Sequence, residues 1–497
     1  MQADFDVLIV GGGINGAGIA RDAAGRGLRV CLVEKGDLAG ATSSASTKMI
    51  HGGLRYLEYN EFGLVRQALK EREKLLKIAP HLIAPLRIVL PVLPDMRPAW
   101  LIRLGLWLYD HLGGKISLPP TRTLSLKNTV EGAALTPGPT KAFTYSDGWV
   151  DDARLVVTNI IDAAARGADI RTRCELMGLQ VQNGHWNATL NATGQTMHVT
   201  AKCVINAAGP WADKVDALAG LSHAQDMVKV QGSHIVVPKL YEGDHAYLLQ
   251  NPDRRVVFAI PYQGKFTLFG TTDTPLSGDP GAAKLTTEET EYLLTAIKRF
   301  FKKPTTPQDI IWSYSGVRAL FGDADKNASE LSRDYQLVMD PPGDTPPFLS
   351  ILGGKITTYR SLSEKAVNIM AERLGQKNTK TWTGTTPLPG GDLGAGGIHA
   401  LHDKIIIKWP FLAHATAQRL AHAYGTRIFE VFTDVTHAAD LGEDFGHGFT
   451  EKEVRYLINK EWARSAEDIL WRRSKIGLFL SDKQRNQFQH WLDQEVS

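Results

Sequence analysis

The most constraining stretch of the chain lies at its amino end. Asp6 to Val10, "DVLIV", is an unbroken apolar run rich in β-branched residues, and it leads straight into Gly11-Gly12-Gly13-Ile14-Asn15-Gly16. A run without polar alternation suits a parallel strand buried on both faces. Gly11, Gly13 and Gly16 give the spacing GxGxxG. Small residues follow at Ala17, Gly18, Ala20, Ala23 and Ala24, so a helix can lie close on a sheet, and Gly25 and Gly27 end it. A second strand, "RVCLVE", closes on Glu34, at roughly the twenty-residue offset expected of the acid in a dinucleotide fingerprint. The glycines permit a tight turn and close backbone approach. The helix N-terminus favours a pyrophosphate, and the carboxylate accepts from ribose hydroxyls. An acid at this position argues against a 2′-phosphate. The motif does not by itself separate NAD from FAD.

A nicotinamide enzyme would proceed to another helix and strand. This chain gives "KGDLAGATSSASTKMIHGGLRY" instead. Ser43, Ser44, Ser46, Thr47 and Lys48 offer hydroxyl, amide and ammonium donors, and Gly52-Gly53 lets backbone approach a flat ring. Taken alone this composition is a solvated loop; directly after a dinucleotide fold it favours cofactor contact. Trp149 to about Ile170 has a helical pattern, followed by a strand carrying Cys174. "AKCVINAAGPWAD" reads as a strand entering a turn at Asn206 to Trp211, with Gly209 as the residue returned to the cofactor. "FLSILGGKITTYRSLSEKAV" is a second strand–glycine–helix junction, with Gly353-Gly354, Lys355 and a helix from near Thr357. Such a junction also aims backbone N–H groups at an acceptor. Arg55, Arg318 and Arg333 sit in apolar or glycine-flanked surroundings. Three guanidinium groups in such settings suggest anion recognition, of a carboxylate or a phosphate equally. His51 and His234 are the imidazoles available as a base near neutral pH.

At 497 residues the chain exceeds one core, so two or three domains are expected. A net charge of +3, without a basic block, gives no reason to expect nucleic acid. Cys31, Cys174 and Cys203 lie far apart in apolar runs. They read as buried thiols in a reducing compartment, with neither metal-ligand spacing nor a disulfide framework. "MQADFDVLIVGGG" enters a strand at once without an export pattern, and no apolar run approaches the ~18 residues of a membrane span. Pro85 to Ile116 is unusual for a soluble surface. Trp100, Leu101, Ile102, Leu104, Leu106, Trp107, Leu108 and Tyr109 leave almost no polar face on a short helix, with Arg87, Arg97, Arg103 and Lys115 around it. In isolation that is a buried core helix; its tryptophans and snorkelling basic residues also suit a bilayer interface. Residues 386–397 form a Pro/Gly-rich linker, and 398–497 read as helical, with capping-box pairs at Thr450/Glu453 and Ser481/Gln484.

The chain resembles the flavin-linked glycerol-3-phosphate dehydrogenases of the aerobic, respiratory kind. The resemblance is carried by "GGGINGAGIARDAAGRGL", "ATSSAS-K-IHGGLRYLE", "YSDGWVDDARLV", "NAAGPWAD", "QGSHIVVP", "GTTDTP", "YSGVRAL", "SRDYQL" and "LGGKITTYR", in order over most of residues 5–365, and "DLGEDFGHGF" and "EWARSAEDILWRRSK" extend it. It implies FAD rather than NAD. It also implies an α/β fold: a Rossmann-like FAD-binding domain of the glutathione-reductase/amino-acid-oxidase type, a mixed-sheet substrate domain and a C-terminal helical domain. The expected boundaries are 1–75, 145–225 and 345–385 for FAD, 76–144 and 226–344 for substrate with membrane-facing 85–116, and 398–497 for the helical part. The cofactor residues implied are Gly11, Gly13, Asn15, Gly16, Glu34, Thr42, Ser43, Ser44, Ser46, Thr47, Lys48, His51, Gly52, Gly53, Ala208, Gly209, Trp211, Gly353, Gly354, Lys355 and Thr357. Arg318, Arg333, Lys355, Tyr56 and His234 are implied around the phosphate of glycerol 3-phosphate, with Thr271 and Arg55 near by. The implied reaction is oxidation of the C2 hydroxyl to dihydroxyacetone phosphate, with Lys355 at the flavin's pyrimidine end; for that reaction His51, which follows the cofactor loop and precedes Gly52-Gly53, is expected as base and His234 as the group orienting substrate. One cation at ~4 Å and an effective dielectric of ~20 gives ~4 kcal/mol, on the order of 90 mV for a two-electron couple. The electrons would pass to a ubiquinone-type acceptor, with the protein attached peripherally to the inner face of the cytoplasmic membrane through 85–116. The resemblance leaves a homodimer open. An oxidase of the same fold, acting on a glycerophosphate or an amino acid, and a flavin-binding regulator without turnover are the competing readings.

Overall fold

The structure is a computed structural model that describes residues 2–93, 97–223, 227–321, 334–339, 343, 345–376 and 380–496. The first sheet is built as the opening motif requires. Strand β1 (Phe5–Val10) lies between β2 (Val30–Glu34) and the strand Gln195–Asn206, parallel to both, with Val7 opposite Val30 on one side and Cys203 on the other. Phe348–Leu352 and Asp169–Thr172 continue the parallel order outward on the two sides, and Gln336–Met339 closes one edge antiparallel. The absence of polar alternation in "DVLIV" has a direct cause. Val7, Ile9, Val30 and Leu32 face helix α1 (Ile14–Gly25) together with the helices Asp152–Ala165 and Tyr359–Arg373. Leu8, Val10, Cys31 and Val33 face the other way, onto the hairpin Cys174–Gln182/His185–Ala192. The three cysteines are free and buried, and burial pushes the Cys31 thiol up to about 12.

The second sheet is mixed. Met227–Pro238 pairs antiparallel with Phe266–Gly270 and with Trp312–Phe321, and Ala246–Gln250 runs parallel to Ile83–Pro91. Lys141–Val150 and the two-residue strand Met49–Ile50 complete the far side. The sheets divide the chain differently from the expected boundaries. Met49–Ile50 and residues 145–150 of the strand Lys141–Val150, expected with the FAD part, belong to the second sheet, whereas Gln336–Met339, expected with the substrate part, belongs to the first.

Several expectations need correction. The helix read from Trp149 to about Ile170 spans Asp152–Ala165, because Trp149 and Val150 end a strand and Asp151 caps the helix by accepting from Arg154 N–H at 3.2 Å. Only part of 85–116 is a surface helix. Residues up to Pro91 form the strand Ile83–Pro91, and α3 spans Ala99–Leu112 after α2 (Phe62–Ile78). The linker 386–397 packs on the first core: Leu388 is buried there and its N–H donates to Ile78 carbonyl at 2.7 Å.

The C-terminal residues pack helices around Trp409, Leu420, Phe449 and Phe488. Ser481 and Gln484 form the reciprocal cap, at 3.0 and 3.3 Å. Thr450 does not: its hydroxyl makes no cap bond, and Glu453 is drawn to Arg419 and to the Tyr424 hydroxyl at 2.8 Å. The buried pair Arg154–Glu461 ties these helices to the first domain. No helix of the described residues is long and apolar enough to cross a membrane.

Burial holds His81 neutral, with its pKa pushed down to about 3, and the charges of Arg154 and Arg427 add to the effect. The unfolded chain takes up that proton near pH ~6.5 while the folded chain does not. This contribution is therefore complete above ~6.5 and is lost as pH falls toward the folded value. Urea unfolding between pH 7 and 5 should show a His81→Asn variant losing about 2 kcal/mol less than the parent over that range, the difference in slope approaching about 1.4 kcal/mol per pH unit only toward pH 5; equal slopes would contradict the assignment.

Candidate active site

Helix α1 starts behind Gly13 with no acidic residue in its first turn. The positive end of the helix is therefore unopposed and can meet an anion. Ser43 Oγ accepts from Ile14 N–H at 2.9 Å, bringing the hydroxyl-rich segment over this end. Gly11 has φ +113°, and a Cβ there would lie 2.5 Å from Ala207 carbonyl oxygen. A Cβ on Gly16 would meet Gly11 carbonyl oxygen at 1.9 Å. Glu34 accepts from Gly12 N–H at 2.6 Å and from Gly36 N–H at 2.8 Å, while burial pushes its carboxyl pKa up.

The second glycine junction reaches the first one. Asn15 Nδ2 donates to Gly353 carbonyl at 3.2 Å, across most of the chain length. Gly353 and Gly354 have φ +73° and +105°. Beyond them Lys355 Nζ stands 3.6 Å from the centroid of the Tyr56 ring, and Thr357 Oγ1 accepts from His51 N–H at 3.1 Å. Ala208 N–H donates to Asn206 Oδ1 at 3.1 Å, Gly209 turns with φ +56°, and the Trp211 indole N–H donates to Asp279 at 2.9 Å. Thr42 Oγ1 donates to Val317 carbonyl at 2.7 Å, which joins the hydroxyl-rich segment to the strand that carries Arg318.

His234 occupies the middle of the second sheet, opposite Gly270 on one side and Tyr314 on the other. It stacks on the Tyr314 ring at 5.0 Å and shares a 3.0 Å hydrogen bond between Nε2 and Thr47 Oγ1. Burial, then the charges of Lys48 and Arg318, hold its pKa well below the usual histidine value, so the ring is neutral at pH 7. Arg318 donates to Asp273 at 2.7 Å, to Thr271 Oγ1 at 3.3 Å and to Thr272 carbonyl at 3.1 Å. Arg55 Nη2 lies 3.5 Å from the Tyr59 hydroxyl.

These groups face one cavity of about 1480 Å³, larger than the roughly 300–1,000 Å³ of an ordinary ligand site. Its lining joins Gly11, Gly13, Asn15, Glu34, Thr42, Ser43, Ser46, Thr47, His51 and Gly53 to Arg55, Tyr56, Ala208, Gly209 and Trp211. Across the cavity stand His234, Thr271, Arg318, Gly353, Gly354 and Lys355. Leu101, Leu104 and Leu108 of α3 also line it, so the apolar helix flanks the same space. Gly16, Ser44, Gly52 and Thr357 stand behind the lining: Gly52 N–H donates to the Tyr109 hydroxyl at 2.7 Å and Thr357 supports His51. Lys48 is a correction. It was expected to donate to the cofactor, but its side chain is buried away from the cavity, with Nζ 2.7 Å from Asp152 Oδ2 and 2.5 Å from Ser44 carbonyl. Arg333 lies outside the described residues.

Three features of the cavity lining carry no signal in the sequence. Asp273, partner of Arg318, sits in "GTTDTP", where an acid next to an arginine-binding turn carries no periodic signal. Arg97 and Arg254 line the mouth with Arg55; their mutual repulsion helps to lower the Arg97 pKa, after burial, and Arg97 pairs with Glu58. Arg472 reaches the cavity from the C-terminal helices.

The donor set fits a flavin dinucleotide. An unopposed helix N-terminus and a glycine turn too tight for any side chain face the same space as the half-buried Glu34 carboxylate and a second glycine junction bearing a cation. Comparison with known proteins agrees. Residues 6–360 match the family model described as FAD dependent oxidoreductase, and residues 381–493 match the C-terminal domain of alpha-glycerophosphate oxidase. The chain is 48% identical to a glycerol-3-phosphate dehydrogenase of Pseudomonas aeruginosa, over 99% of this chain and 95% of that one. It is 44% identical to the aerobic glycerol-3-phosphate dehydrogenase of Escherichia coli, over 98% and 97%. It is also 47% identical to a D-erythritol 1-phosphate dehydrogenase of Brucella abortus, over 98% and 97%. The fold is similar to the structure of a glycerol-3-phosphate dehydrogenase from Bacillus halodurans complexed with FAD, with a TM-score of 0.75 at 26% identity over 99% of this chain and 94% of that one.

A methyl group at Gly16 has no room beside Gly11 carbonyl, so the turn must open. A purified Gly16→Ala variant should be colourless and release no flavin on denaturation, as read by absorbance and fluorescence; full cofactor occupancy would contradict the packing argument.

Proposed function

This chain belongs to the FAD-dependent oxidoreductases and uses FAD as its cofactor, and from that premise we propose that it oxidises the secondary alcohol of a phosphorylated polyol, glycerol 3-phosphate, to dihydroxyacetone phosphate. The observation that carries the reading is the single cavity in which the glycine turns and Glu34 share their walls with His234, Arg318 and Lys355. When bound, FAD supplies the acceptor for the hydride released from C2. The remaining work falls to side chains. Arg318 offers a guanidinium fork and Lys355 an ammonium to the phosphate, and both stand half-buried in the cavity wall, where water screens less than in bulk. Asp273 fixes the Arg318 fork in place and keeps the site from carrying an uncompensated charge before substrate enters. His51, held through its backbone by Thr357 at the cavity wall, takes the hydroxyl proton. His234, neutral and locked to Thr47 and Tyr314, orients the polyol. Arg333 is proposed as a further phosphate ligand from the sequence alone.

A second substrate reading rests on the 47% identity to a D-erythritol 1-phosphate dehydrogenase. Both readings use one chemistry, a phosphate anchor and a secondary hydroxyl, and differ in the length of polyol beyond the reacting carbon. A dye-coupled assay with the two substrates separates them: glycerol 3-phosphate is expected to give the higher kcat/KM, and a reversed order would replace it with the four-carbon polyol. Turnover of neither would overturn the function. Within the same assay, His51→Ala should lower kcat by ~10²–10⁴-fold, the usual contribution of a positioned base. Arg318→Ala should raise KM on the order of 10²-fold, because it removes the fork and leaves Asp273 facing the anion. Unchanged values would remove those assignments.

The electron acceptor in this proposal is a membrane quinone reached through α3. Trp100 is 69% exposed, Trp107 54% and Leu104 47%, whereas Leu106 and Tyr109 on the other face are buried. The core-helix reading fails for the outer face, and interfacial tryptophans with Arg103 beside them suit a monolayer bound at the inner membrane face. Sedimentation with vesicles of phosphatidylethanolamine and phosphatidylglycerol should fall at least tenfold for the double variant Trp100→Ser/Trp107→Ser with dye-linked turnover retained. Undiminished binding would move the membrane contact elsewhere.

A further inference from the structure

Residues 35–47 line the cofactor cavity almost without interruption, only Leu38 and Ser44 excepted. Such a segment has few apolar anchors of its own, so something must fix it. Its first anchor is Asp37. Arg473, itself fully buried, donates to the two Asp37 oxygens at 2.7 and 2.8 Å, and Arg472 adds a bond at 2.7 Å. Both arginines end the π-helix Asp468–Arg473 of the C-terminal helices. Asp468 holds Arg472 at 2.5 Å, so this fork is itself braced. The far anchor is Asp152, which accepts from Ser46 Oγ and from Lys48 Nζ, each at 2.7 Å. Its neighbour Asp151 is bonded by Lys475 Nζ, from the turn just after the same π-helix. Between the two anchoring points Trp471 stacks on Trp312 at 4.8 Å, and Trp312 begins the strand that carries Arg318.

We propose that the C-terminal helical domain is part of the cofactor site, and that its segment Trp471–Lys475 is a clasp that holds both ends of residues 35–48 in the conformation that binds FAD. Arg473 and Lys475 act as positioning residues through Asp37 and Asp151. Arg472 combines that role with a place in the cavity lining. π-Turns of this kind widen one helical turn and recur at functional sites; here the wide turn lets two consecutive arginines reach one carboxylate. Because the clasp closes on the segment that lines the cofactor cavity, ordering is reciprocal: flavin favours the docked domain, and the docked domain favours flavin.

The test uses the full chain stripped of FAD and titrated with FAD by fluorescence quenching. Arg472→Gln and Arg473→Gln should each weaken FAD binding at least tenfold, and Asp37→Asn combined with Arg473→Gln should be no worse than either alone. The control is Arg419→Gln, which breaks a half-buried pair with Glu453 elsewhere in the same domain and should leave the FAD dissociation constant within twofold. Hydrogen exchange at residues 468–478 should slow when FAD is added. If Arg473→Gln does not fold, the partly exposed Arg472 and the exchange measurement carry the test. The proposal is overturned if folded clasp variants bind FAD within twofold of the parent, if Arg419→Gln weakens binding as much as they do, or if exchange at 468–478 is indifferent to FAD.

Discussion

The buried ion pair between Lys48 and Asp152 is the constraint on which the site depends. Both side chains are essentially inaccessible, at 1% and 0%. Lys48 adopts φ +59°, a costly conformation for a residue with a side chain. At this point the chain leaves the first sheet and enters the second at Met49–Ile50. Asp152 also binds Ser46, and the residue between Ser46 and Lys48 is Thr47, whose hydroxyl meets His234. One carboxylate thus registers the cofactor wall against the substrate wall. Removing either partner of such a pair leaves an uncompensated buried charge, at a cost of about 3–5 kcal/mol. Lys475 next to it brings a second cation, and its pKa is lowered, chiefly by burial, against the pull of Asp151.

The same burial shapes the electrostatics of the cavity. It keeps His234 uncharged, so the ring adds no positive charge beside Arg318. Partial burial also strengthens the field of Arg318 and Lys355 in the cavity, because part of it runs through protein rather than water. Asp273 keeps Arg318 aligned in the meantime. Leu101, Leu104 and Leu108 of α3 give this charged cavity an apolar flank.

Much of this was legible in the residues, and for identifiable reasons. The β1 run, the glycine turn and the second strand ending on Glu34 are local signals that need only short-range geometry, and the structure builds that strand, turn, helix and strand in order. The second glycine pair was readable as another strand–helix junction, although its bond to Asn15 joins positions far apart in sequence. Lys48 misled because its role is decided by Asp152, a tertiary partner with no sequence offset to reveal it. Thr450 failed as a cap because Arg419 and Tyr424 compete for Glu453. Asp273 and Arg472 stayed hidden for the same reason: a charged residue in a loop looks solvated until the fold supplies its partner.

The central claim is that flavin and a phosphorylated polyol share one enclosure, formed where the two sheets meet. Anaerobic addition of glycerol 3-phosphate to the yellow protein tests it most directly. The account predicts prompt bleaching of the flavin absorbance with one equivalent of dihydroxyacetone phosphate formed per flavin. A spectrum left unchanged by excess glycerol 3-phosphate and by D-erythritol 1-phosphate would contradict it.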